Sequence, residues 1–433
     1  MRSPRREWPQ PAEMDPPGAT VGPAPAPAGW RLLARSVLPL AFCAALLTAS
    51  FYAVFTPGSR SARARPSRAI VSNVYPHDPV DFNVPAVQGP LPVAATADTV
   101  AGKRVLTTLA QMARVLPRGA LRRAGRSWLL TRPAAVTGRA VLRINRGRSL
   151  EIAPGAFLVS ASGGQIILRH VVVTGVGADS RPMLRSVSGR GFLDAEGGRL
   201  WLDHVRLSHL GYLGTHAFGL SFSSPLPGSG VVHSTVEDLY RGVYTTKAVR
   251  VQIVDNLISD SVEYGIDPHT DSTDLAIEGN RVIRSGLHGI ILAVAVQRSR
   301  VVGNVVDGAG DHGIVLFDTS NDNTVVGNIV VGTFDGIVVM SSSNNLISGN
   351  VVHSATRFGL RISGPSRANL ILSNDVSSRI LAAYLYGGAA GNLLQGNRFQ
   401  GQRQDVRIRA DAPGNRILPP SPAPPAPRAR VLG

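Results

Sequence analysis

The chain has 433 residues, 44% of them apolar, and a formal charge of +17, so it is long enough to bury a large core and too apolar to be disordered throughout. Of its 45 basic residues only Lys103 and Lys247 are lysines, and the arginines are spread along the chain with no basic block, which argues against a nucleic-acid partner. The single cysteine, Cys43, excludes an intramolecular disulfide and a cysteine-ligated metal site.

Residues 1–35 carry the Pro- and Gly-rich run PQPAEMDPPGATVGPAPAPAGW and read as a disordered, basic N-terminal segment. Ser36 to Phe55, SVLPLAFCAALLTASFYAVF, holds no charge and matches the roughly 20 residues of a spanning helix, predicting a membrane anchor or an uncleaved signal segment. Arg31 and Arg35 precede this run and Arg60, Arg63, Arg65 and Arg68 follow it, so flanking charge does not favour export. Export of the C-terminal part is expected from the character of the rest of the chain. Residues 56–80 read as a linker. Residues 81–200, with the runs WLLT, AVLRI and QIILRHVVVTGVG, read as an N-terminal cap and irregular first coils, and 416–433, ending PPSPAPPAPRARVLG, as a disordered Pro/Arg-rich tail.

Between these, residues 201–415 repeat. Asparagine recurs at 256, 280, 304, 328, 350, 374 and 397, and glycine at 219, 242, 265, 289, 313, 336 and 359, a period of 22–24 residues. Each unit holds short β-rich runs such as LAIEGN and GIILAV, no helical pattern, and too few residues to bury a face alone. The expected fold is all-β, a parallel β-helix whose coils stack about 4.8 Å apart with the asparagines laddered inside a turn.

One coil breaks the pattern with YGIDPHT, Tyr264 to Thr270. Counting from each repeat glycine, the first and third following residues are Ile266 and Pro268, then Ile290 and Leu292, Ile314 and Leu316, Ile337 and Val339, Leu360 and Ile362, all expected to point inward. Asp267 and His269 then stand side by side on the outer face, with a proline at a strand position where it removes a ladder hydrogen bond. A histidine that titrates near neutrality beside carboxylates suits proton transfer. Tyr244 is expected outward one coil earlier, where it could return a proton or stack on a sugar ring.

The segments HLGY, FGLSFS, EDLYRGVY, DSVEYGIDPHT and GLHGIIL, in this order and spacing, with FNVPAVQGPLPVA near the start, resemble the periplasmic mannuronan C5-epimerases of alginate biosynthesis, which are right-handed parallel β-helices. The resemblance runs from about Asp81 to the end of the repeats, and YGIDPH is its most specific piece. It implies that His269 removes the C5 proton of a uronic acid residue with Asp267 beside it. Such a reaction also needs a cation to neutralise the substrate carboxylate and an acid on the opposite face. The chain departs from the family in carrying Thr270 where the motif has an aspartate, and Val294 where an arginine would neutralise the carboxylate.

Lys247 and Arg298 are the candidate replacements for that cation, and both are also ordinary positions for solvated side chains on turns. Asp271, His288 and Arg361 complete the expected substrate-binding set; His288 and His312 could alternatively fill turns. No cofactor or metal is expected, since Asp267, Asp271 and Asp274 lack a calcium-binding repeat. The expected partner is a uronic-acid-containing polysaccharide, the expected state a monomer. The expected function is a membrane-tethered, extracytoplasmic epimerase-like enzyme. Two alternatives stay open: a catalytically degenerate β-helix that binds a cell-surface glycan or acts as a scaffold, supported by the outer strip Ile291, Ala293, Val315, Phe317, Val338 and Met340, and a polysaccharide lyase-like enzyme.

Overall fold

The computed structural model describes residues 93–177, 189–214 and 216–419. The membrane segment expected at 36–55, with its flanking segments, lies outside them; among the described residues no helix is long and apolar enough to cross a membrane.

The described chain winds as a right-handed parallel β-helix of three sheets with thirteen strands each. Every coil adds one strand to each sheet, and the registers continue from coil to coil, as in Val243↔Ile266 and Ile290↔Ile314. The first sheet starts at Asp98, so regular coils extend well into the region expected to be an irregular cap. Two irregularities mark the start: the helix Leu109–Val115, begun by a capping box between Thr108 and Gln111, and the antiparallel pair Leu121–Ala124 with Ser127–Leu130. At the other end the strand Arg416–Leu418 still pairs with Leu393–Gln395, so ordered structure reaches into the stretch expected to be a tail.

The asparagine ladder explains the period. Each amide nitrogen donates to the next coil's amide oxygen, from Asn256 to Asn280 at 2.9 Å and onward to Asn397 at 2.8 Å. The same oxygens accept backbone N–H groups, as Asn280 Oδ1 does from Asn256 at 3.1 Å, so a buried turn keeps its polar groups paired. A second ladder at another corner runs through Asn345, Asn369, Asn392 and Asn415, with amide bonds of 3.0, 2.9 and 2.8 Å. The inward positions Ile266, Ile290, Ile314, Ile337 and Leu360 are at most 1% exposed. The repeat glycines are required by close approach: a Cβ on Gly265 would lie 2.2 Å from Val282 Cγ1, and one on Gly289 2.3 Å from Val306 Cγ1.

Candidate active site

The site lies on the outer face of the first sheet, across the strands Phe192–Glu196, Gly219–Ser223, Arg241–Thr246 and Ile266–His269. Register pairs Asp194 with Ser221, Ser221 with Tyr244, and Tyr244 with Asp267; beside this line Glu196, Ser223, Thr246 and His269 form a second. Asp267 and His269 thus share a face two residues apart, with Pro268 buried between them. The ladder to the next strand holds at Ile266↔Ile290 and His269↔Ala293 and skips the two residues between, where Pro268 has no N–H to give.

Asp267 is wholly buried and its Oδ2 accepts a 2.7 Å hydrogen bond from Arg241 Nη1. Arg241 is 2% exposed and its Nε donates to Glu263 Oε2 at 2.9 Å. Its guanidinium carbon lies 4.1 Å from the Phe218 ring centroid and 4.9 Å from that of Tyr264, a sandwich that leaves the edge of the fork for the two carboxylates. Tyr240 Oη donates to Glu263 Oε1 at 2.7 Å and fixes that carboxylate. Burial opposes the charge on Arg241, but Asp267 and Glu263 outweigh it and raise its pKa, so the guanidinium stays charged. Burial pushes the Asp267 carboxyl above its ordinary value against the opposing pull of Arg241. Its Oδ1 has no protein hydrogen-bond partner among the described residues.

His269 is half-buried, and its Nδ1 lies 2.6 Å from Thr270 Oγ1. Burial lowers its pKa, Asp267 opposes this and Arg241 reinforces it, so the imidazole is neutral at pH 7 and carries a lone pair able to take a proton. Its ring centroid is 6.0 Å from that of Tyr244. Burial, with Asp267 next, pushes the Tyr244 phenol up to about 12, so it holds its proton at neutrality. A base with a free lone pair and a protonated phenol therefore stand one coil apart on the same face.

Deeper along the same lines Asp194 is fully buried and accepts from the backbone of Ala195 at 2.7 Å and Ser223 at 3.2 Å; burial raises its carboxyl to about 7. His216 Nδ1 lies 3.9 Å from Asp194 Oδ2, and burial lowers its pKa. The short helix Val93–Thr96 reaches this end of the face, where Ala94 N–H donates to Glu196 Oε2 at 2.9 Å. Beyond His269 the face turns apolar, with Tyr264, Ile291, Ala293, Val315 and Val338 in one buried cluster flanked by Val294, Phe317 and Met340.

The structure distributes the expected substrate-binding residues unevenly. Lys247 is exposed at the lip, its backbone N–H donating to Thr270 O at 2.7 Å. Asp271 is exposed on the turn after His269. Arg298 is exposed but held by Asp274 at 3.1 and 3.3 Å. His288 and Arg361 correct the expectation of surface contacts. His288, 3% exposed, is stacked between Tyr264 at 5.1 Å and His312 at 4.9 Å. Arg361, 4% exposed, is spent on Asp335 Oδ2 at 3.1 Å and His312 Nε2 at 3.1 Å. Outward register does not mean exposure here, because residues one coil apart cover one another.

Arg241, Asp194 and His216 escaped the sequence reading. The signal for Arg241 was available: it immediately precedes a repeat glycine, in the column that continues as Tyr264, His288, His312, Asp335 and Phe358, and these residues form one stack along the sheet edge. Asp194 and His216 lie before the asparagine period becomes regular. One buried group, His288, Asp311 and His312, has metal-ligand spacing, but the Arg361 guanidinium on His312 Nε2 sets a fixed positive charge against a cation there.

The fold places the chain among right-handed β-helices, and the family profile described as right handed beta helix region matches residues 186–330 and 242–399. More particularly, the chain is similar to mannuronan C5-epimerases. It is 35% identical over 207 residues to mannuronan C5-epimerase AlgG of Azotobacter vinelandii, covering 45% of this chain and 39% of that one. It is 31% identical over 211 residues to the Pseudomonas aeruginosa mannuronan C5-epimerase, covering 44% and 38%. The chain thus spans about two-fifths of the length of these curated relatives. The crystal structure of the periplasmic alginate epimerase AlgG superposes with a TM-score of 0.67 at 20% identity, over 75% of this chain and 85% of that one, and shares the fold. The resemblance read from YGIDPH and its neighbours is borne out.

Proposed function

We propose that the protein is an extracytoplasmic polysaccharide-modifying enzyme of the C5-epimerase type, acting on a uronic-acid-containing polymer. The observation that carries this reading is the placement of Tyr244, Asp267 and His269 on one face, with His269 held neutral and Asp267 clamped by Arg241. In this reading His269 Nε2 takes the C5 proton, and the enolate that forms beside the carboxylate needs positive charge. Arg241 is too buried to reach a sugar, so Lys247 at the lip neutralises the carboxylate as a point charge. Tyr244, protonated at neutrality, returns a proton on the opposite face. Similarity to mannuronan C5-epimerases supports the substrate class, and similarity to a periplasmic alginate epimerase supports the extracytoplasmic location. Tethering through residues 36–55 rests on the amino-acid sequence alone.

A second reading has one specific observation in its favour. Val294 replaces the family arginine and Arg361 is buried, which leaves the part-exposed Val294, Phe317 and Met340 as an apolar surface suited to holding a glycan without turning it over. Incubating the protein with polymannuronate in deuterated water separates the two. Deuterium at C5 that disappears in His269→Ala supports the enzyme, an unsaturated product supports a lyase outcome, and binding without exchange overturns the catalytic reading.

A further inference from the structure

On the corner opposite the candidate active site, between the second and third sheets, each coil makes its turn through one residue in the left-handed backbone region. In register order that column reads His170, His204, His233, Asp255, Gly279, Gly303, Gly327 and Gly349. The three histidines have φ of 51°, 52° and 49°, and the four glycines 61° to 64°. Glycine adopts this conformation without strain, whereas a side chain there is disfavoured. Four coils turn with glycine, so the fold itself does not require three stacked imidazoles at a strained position.

The three imidazoles are exposed, and two of them, His204 and His233, are ordered against one carboxylate. Ring centroids lie 4.8 Å apart from His170 to His204 and 5.0 Å from His204 to His233. Asp203 Oδ1 is 2.7 Å from His204 Nδ1 and 3.2 Å from His233 Nδ1. One donor atom from each of Asp203, His204 and His233 falls within 4.8 Å of the others. Ligand atoms around a tetrahedral ion with bonds of about 2.1 Å are roughly 3.4 Å apart, so a small relaxation of exposed side chains completes the geometry.

We propose that Asp203, His204 and His233, with His170 as the fourth ligand, form a surface site for a divalent transition-metal ion of the zinc class, remote from His269. Mixed imidazole and carboxylate donors suit such an ion. Asp255 Oδ2, 3.9 Å from His233 Nε2, is placed to orient that ring from behind, as carboxylates behind metal-bound imidazoles do. Arg169 Nε, 3.7 Å from Asp203 Oδ2, engages that oxygen and leaves Oδ1 as donor. A bound ion would pin three successive coils together at this corner, just before the asparagine ladder begins at Asn256.

The test uses the untagged full chain, dialysed against a chelator and titrated with zinc chloride by calorimetry, with cobalt(II) absorption reporting coordination. One ion per chain is expected, with a rise in melting temperature. The His204→Gly, His233→Gly double variant should stay folded, because glycine serves the same column elsewhere, and should lose affinity by at least about tenfold. Absence of saturable uptake overturns the proposal, as does wild-type uptake by that variant. Loss of uptake in His288→Phe with the corner histidines intact would assign the ion to the buried group and overturn it equally.

Discussion

Replacing Arg241 with methionine isolates the interaction on which the site depends. Methionine fills the slot between Phe218 and Tyr264, so the change removes charge with little loss of packing. It leaves the wholly buried Asp267 with neither oxygen paired, and breaking one side of a buried pair costs about 3–5 kcal/mol. Asp267→Asn is milder, because Arg241 keeps Glu263 and its ring contacts; the loss of one charge-assisted bond is about 1.5–3 kcal/mol. The double variant leaves no unpaired charge at position 267, so it should be more stable than Arg241→Met alone. Urea unfolding followed by circular dichroism reads this as midpoint shifts at constant slope. A cost below about 1 kcal/mol for Arg241→Met, or additive single effects, would refute the account of a clamped, buried carboxylate.

Three further outcomes follow from the same geometry. The hydroxyl of Thr270 can donate to or accept from His269 Nδ1, whereas a carboxylate only accepts, so Thr270→Asp should fix the proton on Nδ1, leave Nε2 as base, and raise the His269 pKa by roughly one unit. The acid limb of the exchange rate, expected below the ordinary histidine value in the wild type because burial lowers His269, should then move to higher pH. Val294 is β-branched at φ 61°, a conformation costing about 1–3 kcal/mol, so Val294→Asn should raise stability, while Val294→Arg should additionally lower KM for an anionic polymer in steady-state assays. Burial, followed by His312, depresses His288 from 6.5 to about 3, so its contribution to stability is present above pH 6.5 and is lost as pH falls toward 3. Between pH 7 and 5 the wild type should therefore lose about 2 kcal/mol relative to His288→Phe. Asp194, raised to about 7, acts in the opposite sense in both proteins and cancels in the difference; a pH-independent difference would place the protonation of His288 elsewhere.

The parts legible in the amino-acid sequence were those governed by period and alternation. Asparagines and glycines at 22–24 residues sufficed for the coil, because each supplies a recurring steric or hydrogen-bonding need. Alternation sufficed to put Asp267 and His269 on one face. Exposure could not be read the same way: Arg361 occupies an outward position yet is buried, since parallel strands about 4.8 Å apart let large side chains roof one another. The expected cations were Lys247 and Arg298, while the buried Arg241 went unseen one place before a repeat glycine, where a reading by coil treats each residue as turn filling and misses the column it builds. That column, Arg241, Tyr264, His288, His312 and Asp335, with Phe218 packed on Arg241 and Arg361 paired to Asp335, runs beside the face. The rings of Tyr264, His288 and His312 lie between Arg241 and Asp335. The buried Arg241 is spent on Asp267 and Glu263, so in the proposed reading it is the exposed Lys247 that answers an anionic sugar at His269.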